Sequence, residues 1–387
     1  MSDFFGSKDY GDYFAALEDR ITTEKTAKRE PEREPSREEP RKVSRQHTEK
    51  YESTYKSTPK ISPKKSKRAA VRQFKIAFVS MVLALILGIT FVIKSIVDHS
   101  KPDSVNDFQY EIVDNSDKYP LFAEYTAKTV TPDESFNYKN IYVVNMKTNK
   151  VIAAKNPQAK AYPASTTKIM TALVAAENLD NLKETFTMSY EITDPMFKAQ
   201  ATVAGFLSSE VITMEDLLYG CILPSGGDAA LGLATHISGS EEEFVKLMNK
   251  KAKKLGLLNT NFTNCTGLFD KNHYSTAEDM AVILRAALEN DLCKKILCTN
   301  RYTSSKTAQH PDGIEMQNTI FQYMYGTEPE GATVLAGKTG FVNESGYCFA
   351  SYGKSDKGSE YVVVTFGGTG KWPSVTALID LYSKYAK

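Results

Sequence analysis

Ser165 and Lys168 stand three residues apart, a spacing at which an amine can act on a hydroxyl. They open a stretch in which Ile169, Leu173 and Ala176 share one face, which predicts a helix. Residues i and i+3 lie on the same face of a helix. A partly buried lysine with a lowered pKa can take the proton of the Ser165 hydroxyl and make it a nucleophile. An isolated Ser-x-x-Lys is more often a capped helix with a solvent-facing lysine, so this pair alone decides nothing.

Two further short motifs follow along the chain. In residues 224–228, Pro-Ser-Gly-Gly-Asp, Ser225 lies on a glycine-rich turn from which a side chain can project into a cleft. In residues 337–340, Gly-Lys-Thr-Gly, Lys338 and Thr339 offer an ammonium and a hydroxyl to an anionic group, and the glycines let its backbone approach. Each motif alone is typical of an ordinary turn, and only the three in this order point to one site.

The hydrophobic pattern indicates the elements that must position these motifs. Residues 140–154 form two β-branched runs around a Lys-Thr-Asn turn, which predicts a hairpin. Strands are predicted at 347–352 and 361–366, and a last helix from Pro373 to about Tyr385. The order of hairpin, helices, strands and helix predicts an α+β fold, with an antiparallel sheet, helices packed on it and a mainly helical insertion.

Capping residues indicate where helices begin. In three places a Ser or Thr stands three residues before an acidic residue and an apolar-periodic stretch. The pairs are Thr213 with Asp216, Ser240 with Glu243, and Ser275 with Glu278. Gly256 is predicted to end a helix as the residue after its C-cap.

Charge is divided unevenly along the 387 residues, whose formal sum of +1 argues against a nucleic-acid-binding protein. Residues 1–75 carry a net +6 and residues 76–387 a net −5. Because residues 24–70 have almost no aliphatic side chains, we expect residues 1–75 to be a disordered, basic cytoplasmic tail. A short amphipathic pattern within residues 1–22 predicts either a docking motif for a cytosolic partner or a sticky segment without one.

Residues 76–93 contain no charged side chain and would span about 27 Å as a helix, close to the bilayer core of about 30 Å. A core helix is rarely apolar on all faces, and no signal-peptide cleavage site follows. We therefore expect a transmembrane helix at 76–94 that anchors the chain in a membrane. The basic flank before it predicts a cytoplasmic N-terminus, with a stalk at 95–135 and a folded domain at 136–387 outside.

The cysteines indicate neither a full disulfide framework nor a metal site. Their number is odd, they all follow the predicted anchor, and no Cys-x-x-Cys or Cys/His spacing suits zinc. We expect mostly buried, unpaired thiols, no metal and no cofactor. The five are Cys221, Cys265, Cys293, Cys298 and Cys348.

Four stretches together resemble the serine D-alanyl-D-alanine carboxypeptidases, the low-molecular-mass penicillin-binding proteins among the penicillin-recognising serine hydrolases. The resemblance covers about residues 138–370. It implies a DD-peptidase/β-lactamase-like fold, in which a sheet is sandwiched by helices and an all-helical subdomain borders the site. The stretches are 162–172, 216–220 with 223–230, 273–277, and 337–348.

The resemblance also implies roles for three catalytic residues. Ser165 would attack the carbonyl of the penultimate D-alanine of a peptidoglycan stem pentapeptide, and Lys168 would be its general base. Ser225 would relay the proton to the leaving D-alanine, after which water releases the shortened peptide. β-Lactam antibiotics would be covalent inhibitors of the same serine.

Substrate binding is implied for the third motif. Lys338 and Thr339, followed by Gly340, would hold the terminal carboxylate of the peptide. The backbone N–H groups of Ser165 and Phe341 would form the oxyanion hole.

One position departs from the family's usual Ser-x-Asn, because Gly227 stands where the asparagine is expected. Losing one such hydrogen bond costs about 1.5–3 kcal/mol, or roughly 10- to 150-fold in rate. One alternative is therefore a catalytically impaired membrane scaffold. Another is an endopeptidase or transpeptidase on the same fold, because the choice of acceptor depends on loops. A class A β-lactamase is disfavoured, since no Glu-x-x-Leu-Asn lies between Ser225 and Lys338. We expect His273 to be a loop histidine rather than a general acid.

Overall fold

The computed structural model describes residues 120–387. The predicted tail (1–75), the predicted transmembrane helix (76–94) and the first part of the predicted stalk (95–119) lie outside the described residues. Between residues 120 and 387, no helix combines the length and the apolar character needed to cross a bilayer.

The core of the fold is a five-stranded antiparallel sheet with the strand order β2-β1-β9-β8-β7. Two small hairpins, β3–β4 and β5–β6, lie apart from it. The strands are β1 (Asn140–Asn145), β2 (Lys150–Lys155), β3 (Thr185–Thr187), β4 (Val211–Thr213), β5 (Arg301–Thr303), β6 (Glu315–Gln317), β7 (Ala332–Val342), β8 (Gly346–Ser355) and β9 (Glu360–Gly368).

All but the last of the α-helices in the described part of the chain lie between β2 and β7, in agreement with the predicted mainly helical insertion. The two small hairpins lie in the same segment, so the expected all-helical subdomain is not wholly helical. A 3-10 turn, Ala164–Thr167, leads directly into the first of them. The helices are α1 (Lys168–Asn178), α2 (Tyr190–Lys198), α3 (Met214–Ile222), α4 (Gly227–Ser238), α5 (Glu241–Lys254), α6 (Ala277–Glu289), α7 (Asp291–Leu297), α8 (Thr319–Met324) and α9 (Lys371–Tyr385).

Both faces of the sheet are buried, because successive side chains of a strand point to opposite faces. In β1, Tyr142 and Val144 join the large core that includes α1 and α3–α6. Ile141 and Val143 join a second core, which includes Leu378 of α9. The sheet is thus the middle of three layers, and the predicted α+β fold with an antiparallel sheet flanked by helices is confirmed.

Most local predictions agree with the structure. The β1–β2 hairpin forms, Thr213 Oγ1 accepts the N–H of Asp216 and Ser240 Oγ that of Glu243, and Gly256 follows α5 with φ +78°. The third cap lies one residue later than predicted. It is Thr276, not Ser275, whose hydroxyl accepts an N–H in the first turn of α6.

The folded domain begins before residue 136, the start predicted from the sequence. Phe122 and Ala123 are buried in the large core, and the backbone of Glu124 pairs with Lys150 on β2. Residues 120–135, assigned to the stalk by the sequence prediction, therefore pack on the domain.

Strand β7 forms one edge of the sheet. The Ala164–Thr167 turn packs against it, which brings the Ser-x-x-Lys motif to the Gly-Lys-Thr-Gly motif. An edge strand has backbone N–H and C=O groups that no neighbouring strand occupies. The fold thus places an unoccupied strand edge beside Ser165.

Candidate active site

Ser165 and Lys168 meet as their spacing predicts. Lys168 Nζ lies 3.0 Å from Ser165 Oγ and 2.6 Å from the carbonyl oxygen of Thr266. Ser165 is half-buried and lines a cleft, whereas Lys168 is only 3% exposed. The preceding Ala164 has φ +47°, a left-handed conformation that non-glycine residues rarely adopt and that is frequent at functional sites.

Burial also decides the protonation of Lys168. The low-dielectric surroundings lower the pKa of its amine below the usual range, because they disfavour the charged form. A lysine that loses its proton more easily can serve as a base near neutral pH. The pair therefore has the geometry and the electrostatics of a serine nucleophile with an amine base.

Ser225 forms a second serine–lysine pair. It lies between α3 and α4 with φ +69°, and its hydroxyl accepts a hydrogen bond of 2.8 Å from Lys338 Nζ. The same amine donates to the carbonyl oxygen of Thr339 at 2.9 Å. Lys338 is fully buried and is not among the residues that line the cleft. In this structure its amine is thus bonded to Ser225 and Thr339, and the predicted contact of Lys338 with a substrate carboxylate stays a prediction.

The two lysines influence one another. Burial, followed by the nearby charge of Lys168, holds the pKa of Lys338 well below its usual value. Two ammonium groups close together in a low-dielectric site disfavour each other. The site therefore favours at least one neutral amine, which is the form that accepts a proton from a serine.

The end of β7 supplies the wall of the cleft next to Ser165. Thr339 Oγ1 lies 2.7 Å from Thr319 Oγ1 on α8, and Phe341 is 50% exposed with its ring 4.6 Å from that of Tyr347. A Cβ on Gly340 would lie 3.0 Å from the backbone nitrogen of Ser165. A side chain at this position would be tightly packed against the nucleophile's backbone, so the glycine favours the close approach of the strand.

The cleft has a volume of about 970 Å³, and among the described residues only three charged side chains line it: Lys168, Glu344 and Lys371. Lys371 Nζ lies 3.8 Å from the ring centre of Tyr323 and 4.9 Å from that of Trp372. Within residues 120–387 it forms no ion pair, and partial burial lowers its pKa. It is the cation that a substrate can reach, and no sequence motif pointed to it.

Gly227 is packed against a side chain. A Cβ here would lie 2.6 Å from the sulfur of Met196, and the Gly227 N–H donates to the carbonyl oxygen of Thr202 at 2.8 Å. Met196 therefore occupies part of the space that an asparagine would need. Thr202 also lines the cleft.

Asp228, the last residue of the second motif, holds a segment of that wall. Its buried carboxylate accepts backbone N–H groups from Ala204 at 2.7 Å, Gly205 at 3.0 Å and Phe206 at 3.2 Å. These bonds join the start of α4 to the segment that continues from Thr202. Asp228 thus positions a cleft wall rather than touching the reacting groups.

His273 is buried away from the cleft lining. Its Nε2 lies 2.8 Å from Thr167 Oγ1, and its Nδ1 accepts the N–H of Thr263 at 3.1 Å. Burial lowers its pKa to about 4, so the ring is neutral at pH 7. The structure agrees with the prediction of a structural histidine, here one that supports the turn next to Lys168.

The five cysteines are unpaired, as expected, and only Cys298 is exposed. Cys221 lies close enough to the two active-site lysines for their charges to act on its thiol, although burial raises its pKa to about 12. A thiol that stays protonated at pH 7 is a poor nucleophile. The chemistry of the cleft therefore falls to the serines.

The family model for D-alanyl-D-alanine carboxypeptidases of the S11 peptidases matches residues 126–370. The chain belongs to this family. The resemblance drawn from the motifs is thereby confirmed, and the match covers the cleft, both serine–lysine pairs and β7. The family's usual asparagine remains absent at Gly227.

Curated members of the family are about one third identical to the chain. Bacillus subtilis D-alanyl-D-alanine carboxypeptidase DacF is 32% identical over 258 residues, which are 66% of this chain and 64% of DacF. The Escherichia coli D-alanyl-D-alanine endopeptidase is 31% identical over 226 residues, 58% of this chain and 70% of that protein. The chain thus spans somewhat less than two thirds of the length of DacF.

Solved structures of the family share the fold. The Streptomyces DD-transpeptidase has a TM-score of 0.59 and 26% identity, with 66% of this chain and 98% of that chain covered. A D-alanyl-D-alanine carboxypeptidase from Mycobacterium tuberculosis has a TM-score of 0.57 and 27% identity, with 66% and 94% covered. These likenesses agree with the predicted DD-peptidase-like fold.

Proposed function

We propose that this protein is a serine D-alanyl-D-alanine carboxypeptidase that removes the terminal D-alanine from peptidoglycan stem pentapeptides through an acyl-enzyme. The observation that carries the proposal is the half-buried Ser165 in the cleft, with the amine of a buried Lys168 3.0 Å from its hydroxyl. Family membership supports the same activity.

Acylation follows from this geometry. The neutral Lys168 amine takes the hydroxyl proton while Ser165 Oγ bonds to the carbonyl carbon of the penultimate D-alanine. The peptide C–N bond then breaks, and Ser225, hydrogen-bonded to Lys338, passes a proton to the leaving amine. Water next attacks the ester, and Ser165 regains its proton as the shortened peptide leaves.

The backbone around Ser165 receives the charge that develops on the carbonyl oxygen. The N–H groups of Ser165 and Phe341 serve as the oxyanion hole, supported by the close approach of β7 to the nucleophile at Gly340. Removing one such donor typically costs 10²–10³-fold in rate.

Recognition of the terminal carboxylate falls to Lys371 and Thr339. Lys338 is buried on Ser225, whereas Lys371 and Thr339 line the cleft. We expect Lys371→Met to lower kcat/KM by roughly 10- to 150-fold, the loss of a hydrogen bond to a charged group. Because Trp372 is the only tryptophan of the chain and lies beside Lys371, its fluorescence should report occupancy of this subsite.

The activity test measures D-alanine released from Nα,Nε-diacetyl-L-lysyl-D-alanyl-D-alanine by the full-length protein in detergent. Wild type and Ser305→Ala, a change at an exposed serine outside the cleft lining, should release D-alanine, and Ser165→Ala should not. Release that persists in Ser165→Ala would refute the mechanism. No release by wild type would favour the impaired scaffold.

The same fold supports a second candidate function, since the chain resembles an endopeptidase and a transpeptidase as well. A carboxypeptidase that grips a free carboxylate should reject a peptide whose last D-alanine is amidated. Equal hydrolysis of the acid and the amide would favour an endopeptidase. A transpeptidase would be favoured if an added amino acid replaced the terminal D-alanine of the peptide and little hydrolysis occurred.

We also propose that the chain is anchored in a bacterial cell membrane by residues 76–93, with the catalytic domain outside and residues 1–22 available to a cytosolic partner. The support is the uncharged run and its basic flank. Alkaline carbonate extraction of membranes should leave the wild type in the pellet and release a variant that lacks residues 76–94. Release of the wild type would contradict the anchor.

β-Lactams should acylate Ser165 and stay bound, because no Glu-x-x-Leu-Asn string, the deacylating pattern of class A β-lactamases, lies between Ser225 and Lys338. A fluorescent penicillin should label wild type but not Ser165→Ala on a denaturing gel. Loss of the label within minutes would indicate β-lactamase activity instead.

A further inference from the structure

One acidic side chain lines the cleft with no partner assigned by the proposed mechanism. Glu344 lies in the turn between β7 and β8, is exposed, and forms no ion pair with any residue between 120 and 387. It is the sole acid among the described residues that line the cleft. An unpaired carboxylate in a peptide-binding cleft offers a place for a cation.

The position of Glu344 along β7 relates it to the substrate. Thr339 and Gly340 mark the part of the strand next to Ser165, and Val342 ends the strand two residues later. Two residues of a strand advance about 7 Å, and Glu344 lies in the turn beyond them. An extended peptide added to this strand edge, with its carboxylate at Thr339, runs past Phe341 toward that turn.

The side chain of a diamino acid is long enough to follow this path. When the penultimate D-alanine is bonded to Ser165, the preceding residue lies one step of about 3.3 Å further along β7. A lysine carries its ammonium on a flexible four-carbon stem. Its side chain can therefore extend from that residue to the turn that carries Glu344.

We propose that Glu344 forms a subsite for the side-chain ammonium of the residue that precedes D-alanyl-D-alanine. This inference rests on the proposed function and names its substrate class, namely peptides with a free diamino acid side chain at that position. Glu344 selects among substrates and takes no part in bond breaking.

A role for Glu344 as a base is disfavoured by its place in the structure. A general base must reach the reacting proton directly or through one water. Glu344 lies beyond the end of β7, whereas Lys168 already contacts the Ser165 hydroxyl at 3.0 Å. Glu344 therefore lines the cleft along the proposed path of the peptide, whereas Lys168 contacts the nucleophile.

The test compares two substrates that differ only in one charge. Full-length wild type is given Nα-acetyl-L-lysyl-D-alanyl-D-alanine or its Nε-acetylated form at low ionic strength, and D-alanine release yields kcat/KM for each. An exposed ion pair contributes modestly, so we expect a twofold to fivefold preference for the free amine that declines at 0.5 M salt.

Variants of the turn assign the preference to one residue. Glu344→Gln should hydrolyse both peptides equally, and Glu344→Lys should prefer the acetylated one. Asp356→Asn is the matched control, because it changes an exposed acid in the β8–β9 turn, at the other end of the sheet and outside the cleft lining. It should keep the wild-type preference.

Two results would overturn the inference. Equal hydrolysis of the two peptides by wild type, or a preference that Glu344→Gln retains, would show that Glu344 does not bind the ammonium while the proposed activity stands. Hydrolysis of neither peptide would overturn the proposed function and this inference with it.

Discussion

Two clusters of buried ionisable groups can be compared within the domain. Lys168 and Lys338 form the lysine cluster. Glu278 on α6 forms the Glu278 cluster with its hydrogen-bond partners Tyr125 and Gln158. The side chains of Lys168, Lys338 and Glu278 are each at most 3% exposed. Burial lowers the pKa of both lysines and raises the pKa of Glu278 to about 7. By electrostatics alone, either cluster qualifies as a functional site.

The surroundings of the clusters differ. Lys168 lies 3.0 Å from Ser165 in the cleft, whereas Glu278 accepts hydrogen bonds from Tyr125 at 2.7 Å and Gln158 at 2.6 Å and does not line the cleft. The Glu278 cluster ties the first described residues to α6. A shifted pKa therefore marks a catalytic site only where a nucleophile and an opening to substrate accompany it.

Substituting each cluster gives the largest expected contrast. Lys168→Met should lower kcat/KM for D-alanine release by about 10²–10⁴-fold, the usual contribution of a general base. Glu278→Gln keeps the size of the side chain and should change kcat/KM less than threefold. Comparable losses in both variants would mean that the Glu278 cluster takes part in catalysis.

The next largest effect is expected at Gly227 in the second motif, where the space beside the lysine cluster is limited. Gly227→Asn alone should bring no gain in kcat/KM, because its Cβ meets the Met196 sulfur. Gly227→Asn combined with Met196→Ala should gain about tenfold, the lower end of the value of one hydrogen bond to a charged group. Met196→Ala alone is the control. A gain in the single Gly227→Asn variant would show that Met196 does not block the amide.

The two clusters should respond differently to pH. The unfolded chain releases the Glu278 proton near pH 4.3 and the native state near 7, so this group weakens folding as pH rises between these values, by roughly 3–4 kcal/mol in total. The difference in unfolding free energy between wild type and Glu278→Gln, from urea titrations, isolates this effect from other groups. A difference that is constant from pH 4 to 8 would contradict the raised pKa.

The pH dependence of kcat/KM should instead follow the protonation of Lys168. Because the folded-state pKa of Lys168 is lowered, the free base forms below the ordinary lysine value of about 10.4, and kcat/KM should rise with pH through that lowered pKa. Glu278→Gln should leave this rise of kcat/KM at the same pH. A rise of kcat/KM at a different pH in Glu278→Gln would show that the charge of Glu278 influences the pKa of Lys168.

The smallest effect is expected at the cap of the helix that carries Glu278. Thr276→Ala removes the hydroxyl that accepts the Asp279 N–H and should lower the free energy of unfolding by about 1 kcal/mol. The expected kcat/KM is unchanged. A loss of activity at constant stability would show that the start of α6 reaches the cleft.

Local features of the fold were predictable because they depend on neighbours in sequence. The contact of Ser165 with Lys168 follows from helical spacing, and the β1–β2 hairpin from its turn. Even so, Ser275 and Thr276 are adjacent hydroxyl residues, and the pattern could not tell which one faces the first turn of α6.

Long-range contacts were beyond the sequence pattern. Lys371 follows β9 and contacts Tyr323 of α8 in the cleft, and the segment that carries the buried Phe122 pairs with β2 at Glu124 and Val130. The contact of the Lys338 amine with Ser225, 113 positions earlier in the chain, was likewise not predictable from the two motifs. Gly227 was recognised as a departure, but the sulfur of Met196 that fills its place lies 31 positions earlier in the chain.

The account depends on which of two serines is the nucleophile, since each has a lysine amine within 3.0 Å. The most direct test treats the full-length protein with a β-lactam, digests it and locates the added mass by tandem mass spectrometry. The account predicts the acyl group on Ser165, in the peptide that also holds or adjoins Lys168. An acyl group on Ser225 with Ser165 unmodified would contradict it.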